Sequence, residues 1–596
     1  MLKKKWIPTP LVTERRRPVI APIRPPSRFR SLVLAWTLSV AAARLLWMRM
    51  RRDPDTVKRS LIVRGVLERL GGMWIKVGQL LGMRRDLFSP EFCDVLAGLQ
   101  DQANGFAFEY TRRTIEDDLG HPIDQIFSEF EESPFAAASI GQIHRAVLRR
   151  EGVAVAVKIR RPTIAATMAG DIRFVTSLCN WAVRLRLFPS MRWGDFQREL
   201  DRTLSEEVDY RYEATAIRDM RRNLKRHGIY APRVFRRYLS ERVLVMEFVR
   251  GALMSDVLRL EHEDPQRLEA WLTENDIQRR KLGRRLFMSL ARQLYEDNYF
   301  HGDLHPGNIV LLRGSRIALI DFGSVGWLEA DFLSRYNEMQ KALGTQQYAK
   351  AADLFLLLGP ELPPTGVDEA KEELIVFMRN WALRARTPKI SFSLKSIGHA
   401  YSAMAQTVAR YRIPATWSFL RVNRAQLTLD TSLRALTPEM DYFALIRAYN
   451  RKAAQRQMRA SLAPEALGKQ VAELVTEVPK IVRGAVEESF YDLEYLRRRA
   501  RQVQGTLDRA AMVGSMMATA LALGMVVLGS GLVLLYLHQS GVKLPISPQL
   551  DATLASADPI APEVWWLILG GMLVTLIQTW RMRARLHNPI LRVKRR

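Results

Sequence analysis

One stretch of this chain leaves few options for folding. From Met512 to Leu537 the sequence is apolar and carries no charged side chain. As a helix rising about 1.5 Å per residue, it covers a hydrocarbon layer of about 30 Å with length to spare. A second uncharged run, Val564 to Trp580, has Trp565, Trp566 and Trp580 near its ends, and indole rings favour the headgroup level. The connecting segment, His538 to Glu563, holds one lysine and three acids, Asp551, Asp558 and Glu563. Outside the pair lie Arg497, Arg498, Arg499, Arg501 and Arg509 on one side, and Arg581, Arg583, Arg585, Arg592, Lys594, Arg595 and Arg596 on the other. Basic residues stay on the cytoplasmic side of a membrane. The pattern therefore predicts a transmembrane hairpin over 511–580 with both ends in the cytoplasm. Two buried core helices are the alternative, and the long uncharged run with its basic flanks weighs against them.

The remainder of the 596 residues suffices for two or three folded units, and a hydrophobic fraction of 48% supports a substantial core. Cys93 and Cys179 are the only cysteines. They exclude a disulfide framework and a Cys-type zinc site, and fit a reducing, cytosol-facing body. The net charge of +28 admits nucleic acid, an anionic membrane or an acidic partner. The membrane is favoured, because much of the excess flanks apolar segments and no zinc-finger or RNP-type signature accompanies it. Residues 1–30, with Lys3 to Lys5, Arg15 to Arg17 and Pro25-Pro26, read as a disordered arm. The apolar stretch Ser31 to Met48, interrupted by Arg44, is marginally short for a span; an interfacial helix, or one packed on the body, is favoured over a crossing. Residues 56–105 read as helical, 106–250 as helices mixed with short β-like runs, and 265–470 as mostly helical apart from a β-rich piece around Ile309 to Ile320. No repeat of fixed period occurs.

The chemistry sits in His301-Gly302-Asp303-Leu304-His305-Pro306-Gly307-Asn308, followed by Ile320-Asp321-Phe322-Gly323. Phosphotransfer of the protein-kinase type needs an acid to orient the attacking hydroxyl or water, and an amide oxygen and a carboxylate on Mg²⁺. Asp303 and Asn308 have the five-residue spacing of a kinase catalytic loop, and Asp321 has the setting of the metal-binding aspartate of D-F-G. Either motif alone is weak; their order and closeness make them specific. Upstream, Val155-Ala156-Val157-Lys158 follows the V-A-I-K pattern. About twenty residues earlier, where a kinase has a glycine-rich loop, this chain has Ala136, Ala137, Ala138, Ser139, Ile140 and Gly141. Alanine gives up the φ > 0 freedom of glycine, so a stiffer nucleotide loop is expected.

Together these residues resemble the UbiB/AarF family of atypical protein-kinase-like proteins. The resemblance includes Lys76-Val77-Gly78-Gln79 as the K-x-G-Q motif, Arg84-Arg85-Asp86-Leu87, Leu99-Gln100-Asp101, Gln142-Ile143-His144-Arg145-Ala146, and Glu207-Val208-Asp209-Tyr210 with Glu213-Ala214. It runs from about residue 60 to 340. Two departures stand out: Ala216 replaces a frequent asparagine, and no A-P-E follows Asp321 at activation-loop distance. The resemblance implies that Lys76, Gly78 and Gln79 lie on a helical extension across the usual peptide groove. It implies that Glu207 and Asp209 hold that extension near the nucleotide, and that Glu213 pairs with Lys158. Read as one helix, Asp209 and Glu213 are i, i+4 and Glu207 is offset, so a solvated face is the plain alternative for all three. His144, His301 and His305 form no recognisable metal-ligand set; His301 is expected to support the catalytic-loop backbone.

The expected fold is α+β, mainly helical, a two-lobed kinase-like body with an N-terminal helical extension and a C-terminal transmembrane hairpin. The expected divisions are a basic arm and apolar helix (1–55), the extension (56–105), an N-lobe (106–250), a C-lobe (251–470), an amphipathic basic linker (471–510), the hairpin (511–580) and a basic cytoplasmic tail (581–596). The expected ligands are ATP or ADP with Mg²⁺, with Lys158 on the phosphates, Asn308 and Asp321 on metal and Asp303 on the acceptor. By resemblance, the setting is ubiquinone or related isoprenoid-quinone biosynthesis at the bacterial inner membrane, with membrane lipids, quinone precursors and other quinone-biosynthesis proteins as partners and no nucleic acid. A membrane scaffold or lipid-binding module with a nucleotide-switched pseudokinase body is the rival.

Overall fold

The computed structural model describes residues 1–11, 17–22, 29–51, 55–99, 104–138, 140–162, 164–185, 192–387, 390–461, 519, 521–542, 554–555 and 562–587. Ser139, Gln100, Asp101, the linker 471–510 and the start of the first apolar run lie outside them. The chain forms two compact units, one of Met1–Glu361 with Gly366–Ala485, the other of Leu362–Thr365 with Val486–Arg596.

The described part of the basic arm, expected to be disordered, is instead held on the body: Lys4–Trp6 is a 3-10 turn, Trp271 Nε1 donates to the Thr9 carbonyl at 2.9 Å, and Ile20 bridges Gly105. Helices α1 (Arg30–Met50), α2 (Thr56–Leu70), α3 (Met73–Gly82) and α4 (Pro90–Ala97) follow. Asp55 caps α2 through Lys58 N–H, and Ser89 caps α4 ahead of Pro90, the residue types that satisfy orphan amides at helix starts. Leu67, Trp74, Val77, Leu80 and Leu96 pack with Leu34 of α1 and with helices further along the chain into one core. Gly78 lets this packing close: a Cβ would lie 2.3 Å from Leu99 Cδ1 and 2.7 Å from Leu67 Cδ1, so both leucine ends would have to shift. Helix α1, at 21 residues, is long and apolar enough to cross a membrane by length and composition, with only 17% of its apolar window buried. It is nevertheless tied to the body. Arg30 holds the buried Asp171 carboxylate through both oxygens at 2.6 and 2.5 Å, and Trp74 Nε1 donates to the same group at 3.2 Å.

Next come α5 (Phe108–Leu119), the single turn α6 (Ile123–Ile126) and a five-stranded sheet of order β1 (Phe127–Phe130), β3 (Gly141–Leu148), β4 (Ala154–Arg160), β6 (Val243–Glu247), with β2 (Ala136–Ala137) on β3. Strand β4, rich in valine and covered on both faces, is buried from Val155 to Arg160, which suits a β-branched run in a central strand. Helices α7 (Ile164–Arg184), α8 (Trp193–Val208) and α9 (Tyr210–His227) intervene before β6. Strand β5 (Ile229–Tyr230) leads a four-stranded sheet of order β5, β10 (Arg316–Leu319), β9 (Ile309–Leu312), β7 (Ala252–Leu253). The hairpin of β9 and β10 ends just before Asp321, and β8 (Phe300–His301) pairs with β11 (Val325–Gly326) on either side of the motif residues.

The remainder is helical: α10 (Met254–Glu263), α11 (Pro265–Glu274), α12 (Arg279–Tyr295), α13 (Ala330–Gly344), α14 (Tyr348–Leu357), α15 (Val367–Arg386), α16 (Phe392–Lys395), α17 (Ile397–Arg410), α18 (Trp417–Leu436) and α19 (Tyr442–Ser461). Their core is aromatic, with Trp381, Tyr336, Tyr401, Tyr442 and Phe443 fully buried. The protein is thus mainly helical α+β. In the second unit, Leu521–Gln539 is a helix that passes the same test of length and composition, with none of its window buried. A further helix covers Pro562–His587.

Candidate active site

Strand β4 delivers Lys158 into a cleft between the sheet and the helical region. Its ammonium lies 2.5 Å from Glu213 Oε1 on α9 and 3.4 Å from Asp321 Oδ1. Burial works against a charged lysine. The Asp321 and Glu213 carboxylates outweigh it and raise the Lys158 pKa above its usual value, so the ammonium stays charged. Burial raises the Glu213 pKa, and Lys158 pulls against that. Asp321 is held below the ordinary carboxylate range: desolvation by the cleft opposes this, but Lys158 and the Gly323 N–H (3.0 Å from Oδ1) prevail. Its side chain remains 46% exposed to the cleft.

His301 fixes the two motifs to each other. Its Nε2 lies 2.6 Å from the Asp321 carbonyl, and its Nδ1 accepts the Asp303 N–H at 3.1 Å. Burial lowers the His301 pKa; a neutral ring with its proton on Nε2 satisfies both contacts. Asn308 donates Nδ2–H to the Asp303 carbonyl at 3.1 Å, which turns its Oδ1 to other use. Asp303 Oδ2 is 3.3 Å from Arg424 Nη2 on α18, a residue that sequence reading missed because nothing local in α18 announces it.

Ala136 and Ala137 form β2, antiparallel to Gln142 and Ile143, and Ala138 N–H closes on the Gly141 carbonyl at 2.8 Å; Ser139 is not described. At Gly141 a Cβ would lie 2.4 Å from the Ile159 carbonyl oxygen and 2.5 Å from Tyr210 Oη, so the end of this loop admits only glycine. A cavity of about 600 Å³ brings together Ala136, Ala137, Ala138, Ile140 and Gly141 with Lys158, Glu213, Asp303, Asn308 and Asp321. Lys76 and Gln79 of α3, Glu207 of α8, and Arg421 and Arg424 of α18 also reach it.

Lys76 Nζ pairs with Glu207 Oε1 at 2.7 Å, both largely buried, while Gln79 Nε2 donates to the Leu99 carbonyl at 3.1 Å. Asp209 takes another place. It ends α8 and caps α9 through the Arg211 N–H, and its carboxylate pairs with Arg211 at 2.7 Å. Glu207, Asp209 and Glu213 therefore do not share a helix face. The helix is interrupted at Asp209, between Val208 and Tyr210, as an aspartate N-cap allows, and Glu213 is buried rather than solvated. Among the described residues no cluster of three His, Cys, Asp or Glu side chains could alone hold a metal. Cys93 and Cys179 are buried, and burial pushes their thiols up to about 12 and about 11, which leaves little thiolate for nucleophilic chemistry.

The model of the ABC1 atypical kinase-like domain matches residues 98–355. A probable protein kinase UbiB of Edwardsiella ictaluri is 32% identical over 413 residues, 68% of this chain and 72% of the relative. Another, from Photorhabdus laumondii subsp. laumondii, is 29% identical over 466 residues, 76% and 82% of the two chains. The solved complex of Rv3197 with erythromycin from Mycobacterium tuberculosis shares 22% identity, covering 68% of this chain and 99% of that one, with a TM-score of 0.37, too loose a fit to guide residues. Fold, cleft and family model define a kinase-like protein of the atypical kind. Within that class, the chain belongs to the UbiB family.

Proposed function

We propose that this chain is a membrane-associated, Mg²⁺-dependent ATP-handling enzyme that serves ubiquinone or a related isoprenoid-quinone pathway. The observation that carries the reading is the convergence of Lys158, Glu213 and Asp321 within hydrogen-bonding reach, in one cavity with Asp303 and Asn308.

The residues suit ATP or ADP with Mg²⁺. Lys158, held by Glu213, would neutralise the α and β phosphates, with the backbone of Ala136, Ala137 and Ala138 on the same cavity wall. Asp321 offers an ionised, half-exposed carboxylate, and Asn308 an amide oxygen oriented by its bond to Asp303. An all-oxygen set of one carboxylate and one amide fits Mg²⁺, which takes few protein ligands and completes its shell with phosphate and water. Bound Mg²⁺ would neutralise charge between the phosphates. Asp303 accepts the proton of an attacking hydroxyl or water, and Arg424 sets the direction of that carboxylate. Lys76 and Gln79 reach the cleft from α3, on the side where a kinase would dock its peptide, while Gly78 lets the helix pack behind them, with the Lys76–Glu207 pair as its fastening.

Membrane association draws support from the uncharged helix Leu521–Gln539 and from the body itself. There α1 and α7 leave large apolar side chains in water, Trp36 at 74% and Trp181 at 58% exposure among them. Such patches mark interaction surfaces. We place the chain at the bacterial inner membrane, with membrane lipids, quinone precursors and other quinone-biosynthesis proteins as partners, the body facing the cytoplasm.

The rival reading is a membrane scaffold whose nucleotide site only switches its shape. Incubating the full chain, reconstituted in lipid, with Mg·ATP labelled on the γ phosphate separates the readings. Free labelled phosphate indicates an ATPase, and a labelled lipid, small molecule or protein indicates a kinase. No turnover, together with full biological function of Asp303→Asn, would leave the scaffold.

A further inference from the structure

Behind the helix that carries Glu213 lies a half-open cleft of about 1170 Å³ that plays no part in the chemistry above. Helix α9 has two faces. Tyr210, Glu213, Ile217, Met220 and Leu224 are buried, whereas Arg218, Arg221, Arg222 and Lys225 line this outer cleft. Its other walls come from distant parts of the chain: Lys3 and Trp6 at the N-terminus, the segment after β5 with Arg233, Arg236 and Arg237, and Arg316 of β10. Ten lysines and arginines line the cleft against one acid, Glu151. The whole chain holds 90 basic and 62 acidic residues, so general basicity does not account for the imbalance.

The cations divide into two groups. Arg211 and Arg218 have carboxylate partners in Asp209 and Asp219, Arg316 and Lys3 lie over Trp6, Arg233 lies over Phe235, and Arg221 hydrogen-bonds Tyr230. Arg222, Lys225, Arg236 and Arg237 have no carboxylate in ion-pairing range among the described residues. The helix dipole can account for Lys225 in the last turn of α9, but not for Arg236 and Arg237, which arrive from a different segment. Gathering like charges opposes the compact state unless an anion offsets it. The floor is apolar, with Ile217, Ile229, Phe235 and Ile317, and the N-terminal wall is anchored by Leu2 N–H on Glu247 at 2.6 Å and by Arg313 N–H on the Trp6 carbonyl at 2.9 Å.

We infer that this cleft is a second binding site, for a phosphate-bearing polyanion. Guanidinium groups match phosphate oxygens bidentately, and four uncompensated cations call for a ligand of two or more negative charges, such as a diphosphate or a phosphomonoester headgroup. Such a ligand rests on the outer face of the helix whose inner face holds Glu213 against Lys158. The site itself does not depend on the nucleotide reading.

The test uses the full chain in lipid nanodiscs of phosphatidylcholine, with EDTA present and Lys158→Ala in the background so that the nucleotide cleft cannot take the probe. Inorganic pyrophosphate is titrated by calorimetry, and acylation of the exposed Lys225 amine is followed by mass spectrometry. Pyrophosphate should bind and slow Lys225 acylation severalfold, and the combined change Arg222→Gln, Arg236→Gln, Arg237→Gln should weaken binding at least tenfold without lowering the melting temperature. Protection by nanodiscs containing phosphatidic acid, without soluble pyrophosphate, identifies a lipid headgroup as the source; protection by pyrophosphate alone identifies a free phosphate compound. Undiminished acylation of Lys225 with both probes, or parental binding of both by the triple variant, overturns the proposal. The acylation readout needs no variant in the cleft, so poor folding of the triple variant leaves it intact.

Discussion

At the residue scale, the Lys158–Glu213 contact is a buried ion pair, and breaking such a pair from one side leaves an uncompensated charge behind. Replacing Glu213 with glutamine keeps the shape and removes the charge that orients Lys158. ATP turnover should fall by about 100-fold, the scale of losing one preorganised group in an active site; activity within twofold of the parent would contradict the role. His144 gives a stability prediction. It is fully buried, with Nδ1 2.8 Å from the Glu131 carbonyl and Nε2 2.9 Å from Gln142 Nε2, and burial pushes its pKa down to about 4. The unfolded chain takes up a proton near pH 6.5 while the folded chain refuses it. The stabilisation from a neutral His144 is therefore complete above pH 6.5 and declines as the pH falls toward 4, by up to about 3 kcal/mol. Urea unfolding between pH 7 and 4.5 should show a shallower pH slope in His144→Gln than in the parent; equal slopes would refute it. The site residues differ in how visible they are in the sequence. Lys158, Asp303, Asn308 and Asp321 stand in short motifs because strand, loop and hairpin each fix spacing locally. Arg424 reaches Asp303 across 121 positions on a helix whose own sequence serves the C-terminal core, so no local pattern reports it.

At the scale of elements, α3 shows packing and chemistry set by one short motif. Lys76 points to Glu207, while Gly78 lets Leu67 and Leu99 close over the other side of the helix. A Gly78→Ala change crowds flexible leucine ends and should cost about 1–3 kcal/mol, read as a lowered melting temperature together with faster amide exchange in α3. Parental values for both would show the glycine to be dispensable. The general division into helical and β-containing stretches was legible because hydrophobic period and β-branched runs report it. The α8–α9 break has one local sign, Asp209 ahead of Tyr210 as an N-cap residue, and the i, i+4 spacing of Asp209 and Glu213 masks it because it fits one continuous helix equally well. The apolar stretch from Ser31 is marginally short for a span, and the helix runs over Arg30–Met50 with Arg30, its first residue, paired with Asp171.

For the whole molecule, the proposed membrane contact would draw on both the charge of +28 and the exposed apolar faces, since basic side chains around apolar ones suit an anionic bilayer surface. Trp36 on α1 and Trp181 on α7 are well placed to report contact. Brominated lipids should quench the tryptophan fluorescence of the reconstituted chain, and the double change Trp36→Phe, Trp181→Phe should remove part of that quenching. An unchanged quenching fraction would show that this face stays in water. The claim on which the functional reading rests is that Asp321 and Lys158 share one Mg-bound nucleotide. ATP affinity of the reconstituted full chain, titrated with and without Mg²⁺ in the parent and in Asp321→Asn, tests it directly. The parent should gain at least about tenfold in affinity from Mg²⁺, about 1.4 kcal/mol, and Asp321→Asn should lose that gain while still binding ATP weakly through Lys158. Equal Mg²⁺-dependent affinity in the two proteins would contradict it.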